Sequence, residues 1–364
     1  MRFNTIVVGI DFSERSLATA RWVAHHLSPS AKLIFVHVVP EPETPSFLRP
    51  HLKGLLDDVG GIAPALIPGL RGVADLVARG RHRIEILSGI AADRLAQVAA
   101  DAGADLICLG RRRVRRGGAR FGATTAHRLL ARTRVPVLIV PGGHHASPHR
   151  ILAALDSRDG SDGIARGAAR LAGAWEARVD VVHVLSPHLR DLVRSVQTLA
   201  EGKVDSAPAN LAEGTDDLFR LSRDWLEQQA DVAGIPPARV RACVSVGDPG
   251  PEIIKAAYLY GADLITMGRG APSSHAPQPS GLLPLGSTTR HVMWAAPCPV
   301  LVLPTESLTP PRSPFWRVTR THKGQAPLST NRVANAPGSD PLFPATAVGV
   351  AACDCCPAPE LLTH

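Results

Sequence analysis

Three short segments occur twice in this chain, in the same order. Residues 6–11, Ile-Val-Val-Gly-Ile-Asp11, return at 151–156 as Ile-Leu-Ala-Ala-Leu-Asp156. Residues 104–110, Ala-Asp-Leu-Ile-Cys-Leu-Gly110, return at 262–268 as Ala-Asp-Leu-Ile-Thr-Met-Gly268. Residues 136–141, Pro-Val-Leu-Ile-Val-Pro141, return at 299–304 as Pro-Val-Leu-Val-Leu-Pro304. The offsets are 145, 158 and 163 residues, the drift that two copies with unequal loops produce. Each copy has about 145–155 residues, the size of an ordinary domain rather than of a solenoid repeat. The 364-residue chain is therefore expected to fold as two related domains, 1–141 and 150–304, with a linker at 142–149 and a tail at 305–364.

Within each copy, short apolar runs alternate with longer helix-like stretches. The patterning predicts strands over 4–10, 32–39, 83–88, 105–109 and 136–140, with helices near 14–27, 50–80, 91–102 and 123–133. The second copy repeats the order, with strands over 150–155, 178–185, 239–246, 263–267 and 299–303 and helices near 160–174, 212–233, 249–260 and 287–295. Strands alternating with helices predict an α/β fold with a parallel sheet and helices on both faces. The strands are continuous rather than alternating apolar runs, as expected of a sheet buried on both sides. Ser13 stands where the first helix needs an N-cap, with Ser16 three residues on. From 305 onward Pro, Ser and Thr accumulate without periodicity, the composition of a low-order tail.

The formal charge is +8, which raises the question of nucleic acid. The excess is nearly all arginine, 35 Arg against 5 Lys, and reads mainly as background usage. The exception is Arg111, Arg112, Arg113, Arg115, Arg116 and Arg120, which crowd one loop and would attract an anion. That loop lacks the interleaved aromatics of a single-strand binding surface, so nucleic acid is not the expected partner. No run of about 18 uncharged apolar residues suggests a membrane span, and no basic segment followed by an apolar one suggests a secretory signal. A cytoplasmic protein is expected. His144, His145 and His149 belong to the linker and read as linker residues rather than metal ligands. Cys353, Cys355 and Cys356 are too close together for a structural zinc site, which takes two separated pairs.

Chemistry is expected where the repeats coincide with strand ends, because open α/β sheets bind ligands beyond the carboxyl ends of their strands. Asp11 and Asp156 end the first strand of each copy. Both the bland reading, Asp followed by Ser as turn and cap chemistry, and a ligand role fit one such residue; recurrence favours the ligand. After the fourth strand, copy one has Gly110-Arg-Arg-Arg113 and then Gly122-Ala-Thr124-Thr. Copy two has Gly268-Arg-Gly-Ala271 and then Gly286-Ser287-Thr288-Thr. Glycine permits close backbone approach to an anion, and the hydroxyls of Thr124, Ser287 and Thr288 can cap the following helix or meet phosphate oxygens. His127 and His291 recur five residues after Gly122 and Gly286, and read as packing or surface residues.

This ordered set resembles the universal stress protein family. Val-Gly-Ile-Asp11-Phe-Ser13, Val-His37-Val, Gly110…Gly122-Ala-Thr and Val-Pro136-Val-Leu-Ile-Val carry the resemblance in copy one. Asp156-Ser157, Val-His183-Val, Gly268…Gly286-Ser287 and Cys-Pro299-Val-Leu-Val carry it in copy two. The resemblance spans 2–141 and 149–304. It implies a five-stranded parallel sheet in each domain and association through edge strands, within the chain or between two chains. It also implies a site for ATP or a related adenine nucleotide, with or without Mg2+. Asp11 and Asp156 match the residue that approaches the adenosine end, and Val38 and Val184 the region that contacts adenine. ATP-binding members carry Gly-x-x-Gly-x9-Gly-Ser/Thr after strand four. Gly110 and Gly268 match its first glycine, Arg113 and Ala271 stand at its second, Gly122 comes one residue early, and the loop to Gly286 is too long.

Other nucleotide and hydrolase signatures are missing: no P-loop, no complete dinucleotide fingerprint, no His-Glu-x-x-His and no Gly-x-Ser-x-Gly. No general base or metal-binding carboxylate cluster is evident, so any catalysis would be slow ATP hydrolysis. Two functions follow. One is a cytoplasmic stress-response protein that binds an adenine nucleotide as a regulatory ligand. The alternative is a nucleotide-free interaction protein with degenerate glycine loops.

Overall fold

The computed structural model describes residues 3–27, 31–39, 82–111, 124–142, 147–157, 160–188, 191, 211–270 and 285–304. The helix expected over 50–80, the arginines from 112 to 120, the residues 143–146 of the linker and the tail from 305 lie outside the described residues.

Copy one contributes strands β1 (Thr5–Gly9), β2 (Lys32–Val39), β3 (His82–Ser88), β4 (Leu106–Arg111) and β5 (Val137–Pro141). Its described helices are α1 (Glu14–His26), α2 (Ala91–Asp101) and α3 (Thr125–Leu130). Copy two contributes β6 (Arg150–Ala154), β7 (Arg178–Leu185), β8 (Val240–Val246), β9 (Leu264–Gly268) and β10 (Val300–Leu303), with helices α4 (Ser161–Trp175), α5 (Leu211–Val232), α6 (Pro249–Tyr260) and α7 (Ser287–Ala295). Every neighbouring strand pair within a copy is parallel, as the continuous apolar runs require.

The two sheets are one. The strand order is β3-β2-β1-β4-β5-β10-β9-β6-β7-β8, so each half reads 3-2-1-4-5 outward from its own edge. The halves meet through β5 and β10, which run antiparallel and place Leu138 opposite Leu301. The edge-strand association that the resemblance implies is thus made within the chain. The apolar packing is continuous too. One core joins Ile6, Val8 and Leu138 to Ile151, Val181 and Leu301; the other, on the opposite face, joins Val7, Ile107 and Ile139 to Leu152, Ile265 and Val300. Neighbours in a strand feed opposite faces, as a pleated sheet demands.

Several repeated residues have structural work that the sequence does not disclose. The Asp105 carboxylate accepts from the amides of Asn4 (2.6 Å) and Thr5 (3.0 Å). Asp263 does the same for His149 and Arg150, at 3.0 Å each. The recurrent Ala-Asp-Leu-Ile therefore anchors the start of the first strand of its own copy. His37 and His183 each place Nδ1 2.9 Å from the carbonyl of the residue before the strand-end aspartate, Ile10 and Leu155. Asp180, buried in the β7 run, is held by Arg241 at 2.9 Å and Arg150 at 3.7 Å, and the Arg241 guanidinium lies 3.9 Å over the Tyr260 ring. Cys108, Cys243 and Cys298 are buried thiols outside any disulfide. No helix of the described residues is long and apolar enough to cross a membrane.

Candidate functional site

The carboxyl ends of β1, β2, β4 and β5 open onto a cavity of about 570 Å³. The fold brings Asp11, Val38, Gly110 and Thr124 to its wall, although they are spread over more than 110 residues of chain. Four of the positions the sequence singles out in copy one therefore converge. Arg113 and Gly122 lie outside the described residues.

Asp11 is exposed and locally tied. Its Oδ1 accepts from the Ser13 amide at 3.1 Å and from the Ser13 hydroxyl at 2.5 Å. Its own amide donates to the Ser16 hydroxyl at 3.2 Å. Burial pushes the Asp11 carboxyl upward, but hydrogen bonds from Ser13 and Ser16 outweigh it, and the group titrates below its ordinary value. It is an anion at neutral pH. Ser13 meanwhile caps α1, accepting from the Ser16 amide at 3.3 Å, as its place in the sequence predicts. Phe12, between the two, adopts a left-handed φ of 57°, which turns the chain sharply from the strand end into the helix.

Gly110 packs against α1. A Cβ there would stand 3.1 Å from the Thr19 hydroxyl and 3.6 Å from the Arg15 carbonyl, so close helix–strand packing by itself calls for glycine. Thr124 is the N-cap of α3, accepting from the His127 amide at 3.4 Å. Burial, with Arg290 and Arg128 nearby, holds His127 below the ordinary histidine range.

The copy-two positions do not line this cavity. Asp156 is exposed beyond β6, and its carbonyl accepts from the Ser161 hydroxyl. Val184 is half-buried on β7 and Gly268 ends β9. Gly286 is buried at the N-cap of α7, Ser287 is exposed and Thr288 half-buried. Gly286 donates to the Arg269 carbonyl at 3.0 Å, and Gly270, at φ +77°, would meet the Gly286 Cα at 3.1 Å if it carried a Cβ. The two ends of that long loop are thus pinned together. The hydroxyl that reaches the strand end is Thr289, which donates to the Gly268 and Arg269 carbonyls at 3.0 Å each, not Ser287 or Thr288.

The feature that sequence reasoning misses is a pair of arginines. Arg111 Nη1 donates to the carbonyls of Ala296 (2.6 Å) and Met293 (3.5 Å). Arg269 donates to the carbonyls of Leu130 (2.6 Å) and Thr133. Each arginine follows the glycine that ends or nearly ends strand four of its copy, and each grips the end of the last helix of the other copy. The pairs Leu130/Met293 and Thr133/Ala296 are 163 residues apart, as are the β5 and β10 repeats. The clamps are therefore reciprocal about a pseudo-two-fold axis. Helix C-termini leave carbonyls without intrahelical partners, and a cation suits that end of the dipole. This corrects the grouping of Arg111 with an anion-attracting cluster: its guanidinium is directed at carbonyls. Burial lowers its pKa, against opposing effects of Cys298 and Tyr258. The visible signal was Gly-Arg at equivalent positions in both copies.

The cavity has the size and the mixed lining of a small-ligand site. Val36, Val38, Leu95 and Leu109 supply an apolar wall, and Asp11, Ser13 and Thr124 polar groups. Among the described residues no group of three or more His, Cys, Asp or Glu is placed to hold a metal ion.

The sequence profile described as "Universal stress protein family" matches residues 2–141 and 148–304. No curated protein matches this sequence. Among solved structures, a universal stress protein from Archaeoglobus fulgidus DSM 4304 is 17% identical, covers 84% of this chain and 100% of its own, and has a TM-score of 0.56. A putative universal stress protein from Pseudomonas aeruginosa UCBPP-PA14 is also 17% identical, covering 83% of this chain and 93% of its own with a TM-score of 0.50.

Proposed function

The chain belongs to the universal stress protein family, and from that premise we propose that it is a cytoplasmic stress-response protein whose first half binds ATP or a related adenine nucleotide as a regulatory ligand. The acting unit is read as domains 1–141 and 150–304, joined by 142–149 and followed by the tail 305–364. The carrying observation is convergence: Asp11, Val38, Gly110 and Thr124 meet at one cavity at the carboxyl edge of a parallel sheet, where such folds take ligands. In this reading the adenine lies toward Val38 and the ribose toward Asp11, whose anionic carboxylate accepts sugar hydroxyls. Protein groups bind and orient; hydrolysis, if present, is slow. The test is the small-molecule content of gently purified protein, denatured and analysed by mass spectrometry, followed by calorimetric titration with ATP and magnesium. Recovered nucleotide and a saturable heat support the reading; an empty extract and no heat with ATP, ADP, AMP or cyclic AMP at millimolar concentration sink it.

Specific observations favour a second reading, a nucleotide-free interaction protein. Packing against Thr19 explains Gly110 without a ligand, Ser13 already engages the Asp11 carboxylate, and Arg113 stands at a glycine position of the family motif. Arg113→Gly discriminates. If the variant binds ATP and the parent does not, the natural loop is a lost site.

A further inference from the structure

The cavity of the first half does not end within the first half. Among the described residues that line it, Met293 and Trp294 come from α7 of the second half, and Trp294 is the one aromatic. The lining runs from β2 through β1 and β4 to β5, three inter-strand spacings or about 14 Å. Val38 stands on the β2 side; Trp294 stands on the side of the second half. Trp294 is half-buried and lines the cavity. Its backbone is held as well. Arg111, itself a lining residue, grips the carbonyls of Met293 and Ala296 on either side of it in the chain.

The arrangement is not symmetric. The reciprocal clamps equate Leu130 with Met293 and Thr133 with Ala296, which makes Ala131 the counterpart of Trp294. A methyl group in the first half stands where the second half has an indole. The pseudo-two-fold therefore cannot supply the second half's own site with the same wall.

We propose that the first-half cavity is a shared site in which Trp294 of the second half contacts the bound nucleotide and sets what fits at the end opposite Val38. The proposal rests on the nucleotide reading of that cavity. An indole offers one N–H donor, which can meet a phosphate oxygen, beside a flat apolar face that closes that end of the cavity. Ligands differing at the far end from the adenine, AMP against ATP or cyclic AMP, are then the ones that Trp294 tells apart.

The test uses the full chain, Trp294→Phe, Trp294→Ala and, as a control, Trp225→Phe, whose ring packs on His183 in the second half. Each is titrated with ATP, AMP and cyclic AMP by calorimetry and by tryptophan emission. Loss of the indole is expected to weaken binding about tenfold in Trp294→Ala, with Trp294→Phe, which keeps an apolar face and loses the N–H, in between. The order of preference among the three nucleotides shifts in Trp294→Ala. The ligand-induced emission change disappears in both Trp294 variants and persists in Trp225→Phe. If the parent binds and Trp294→Ala binds as tightly with the same preference, the shared wall is overturned while the nucleotide site stands. If the parent binds none of the three, the nucleotide reading falls and the shared wall with it.

Discussion

Arg269 is 3% exposed, and its replacement by methionine tests the reciprocal clamp most directly. The guanidinium donates to the Leu130 and Thr133 carbonyls, and both of those residues are themselves buried. A hydrogen bond to a charged group contributes about 1.5–3 kcal/mol, so two are worth about 3–6 kcal/mol before any compensation. Methionine fills much of the volume and removes a cation that was costly to bury, which returns part of that sum. The expected net loss for Arg269→Met is about 2–4 kcal/mol. Arg111 is only half-buried and makes one short bond at 2.6 Å and one marginal contact at 3.5 Å. Arg111→Met is therefore expected to lose about 1–2 kcal/mol. The assay is urea unfolding of the full chain and both variants, followed by far-ultraviolet circular dichroism. The ordering should appear as midpoints falling from parent to Arg111→Met to Arg269→Met at a constant slope. Arg269→Lys, which keeps the charge but not the fork, should fall between parent and Arg269→Met. An Arg269→Met midpoint equal to the parent's, or above that of Arg111→Met, would refute the reasoning.

Two further predictions concern repeated or titrating residues. Asp105→Ala and Asp263→Ala each strip the acceptor from two strand-start amides and should each lose about 1–3 kcal/mol, within about 1 kcal/mol of one another in urea unfolding; a large loss in one and none in the other would break the equivalence. His127 and His26 both titrate below the ordinary histidine value, first because of burial. The fold therefore holds them neutral, and the unfolded chain takes up their protons first. Their contribution is present above about pH 6.5 and is lost as pH falls through their lowered folded values. Thermal melts should shift down from pH 7.5 to pH 5, and less steeply in His127→Gln; an unchanged slope in that variant contradicts the assignment.

The strands were legible because each is a continuous apolar run with its own punctuation. The run predicted over 178–185 is β7 to the residue, and that over 32–39 is β2. Helix ends were less so. The helix expected over 123–133 contracts to Thr125–Leu130: Pro136 disfavours helical backbone just before it, and the Thr133 side chain accepts from the Val135 amide instead, at 3.0 Å. The cap at Ser13 was readable, since capping is local chemistry. The β5–β10 pairing was not, because nothing in a buried strand's own residues says which distant edge it will meet. For the same reason the clamps escaped notice. Arg111 and Arg269 act across 182 to 185 and 136 to 139 residues of chain, whereas a cluster of arginines in sequence invites an anion. At the cavity, Asp11, Val38, Gly110 and Thr124 could be chosen from strand ends and glycines, but Trp294 could not, since it reaches the cavity only once the halves are joined.

Joining the two copies in one chain also changes what the axis between them permits. Two identical chains meeting through such an edge would form an isologous contact, in which every residue appears on both sides. Any substitution would then be made twice, and a bulky wall useful to one cavity would be imposed on the other. Their pairing would also fail on dilution, whereas a short tether from Pro141 to Arg150 keeps the partners at high effective concentration at any protein level. Here a change enters once. The two halves can share a sheet, a core and a pair of clamps while one keeps an alanine and the other a tryptophan at matched positions, so that a single polypeptide can hold two unequal sites in one symmetric frame.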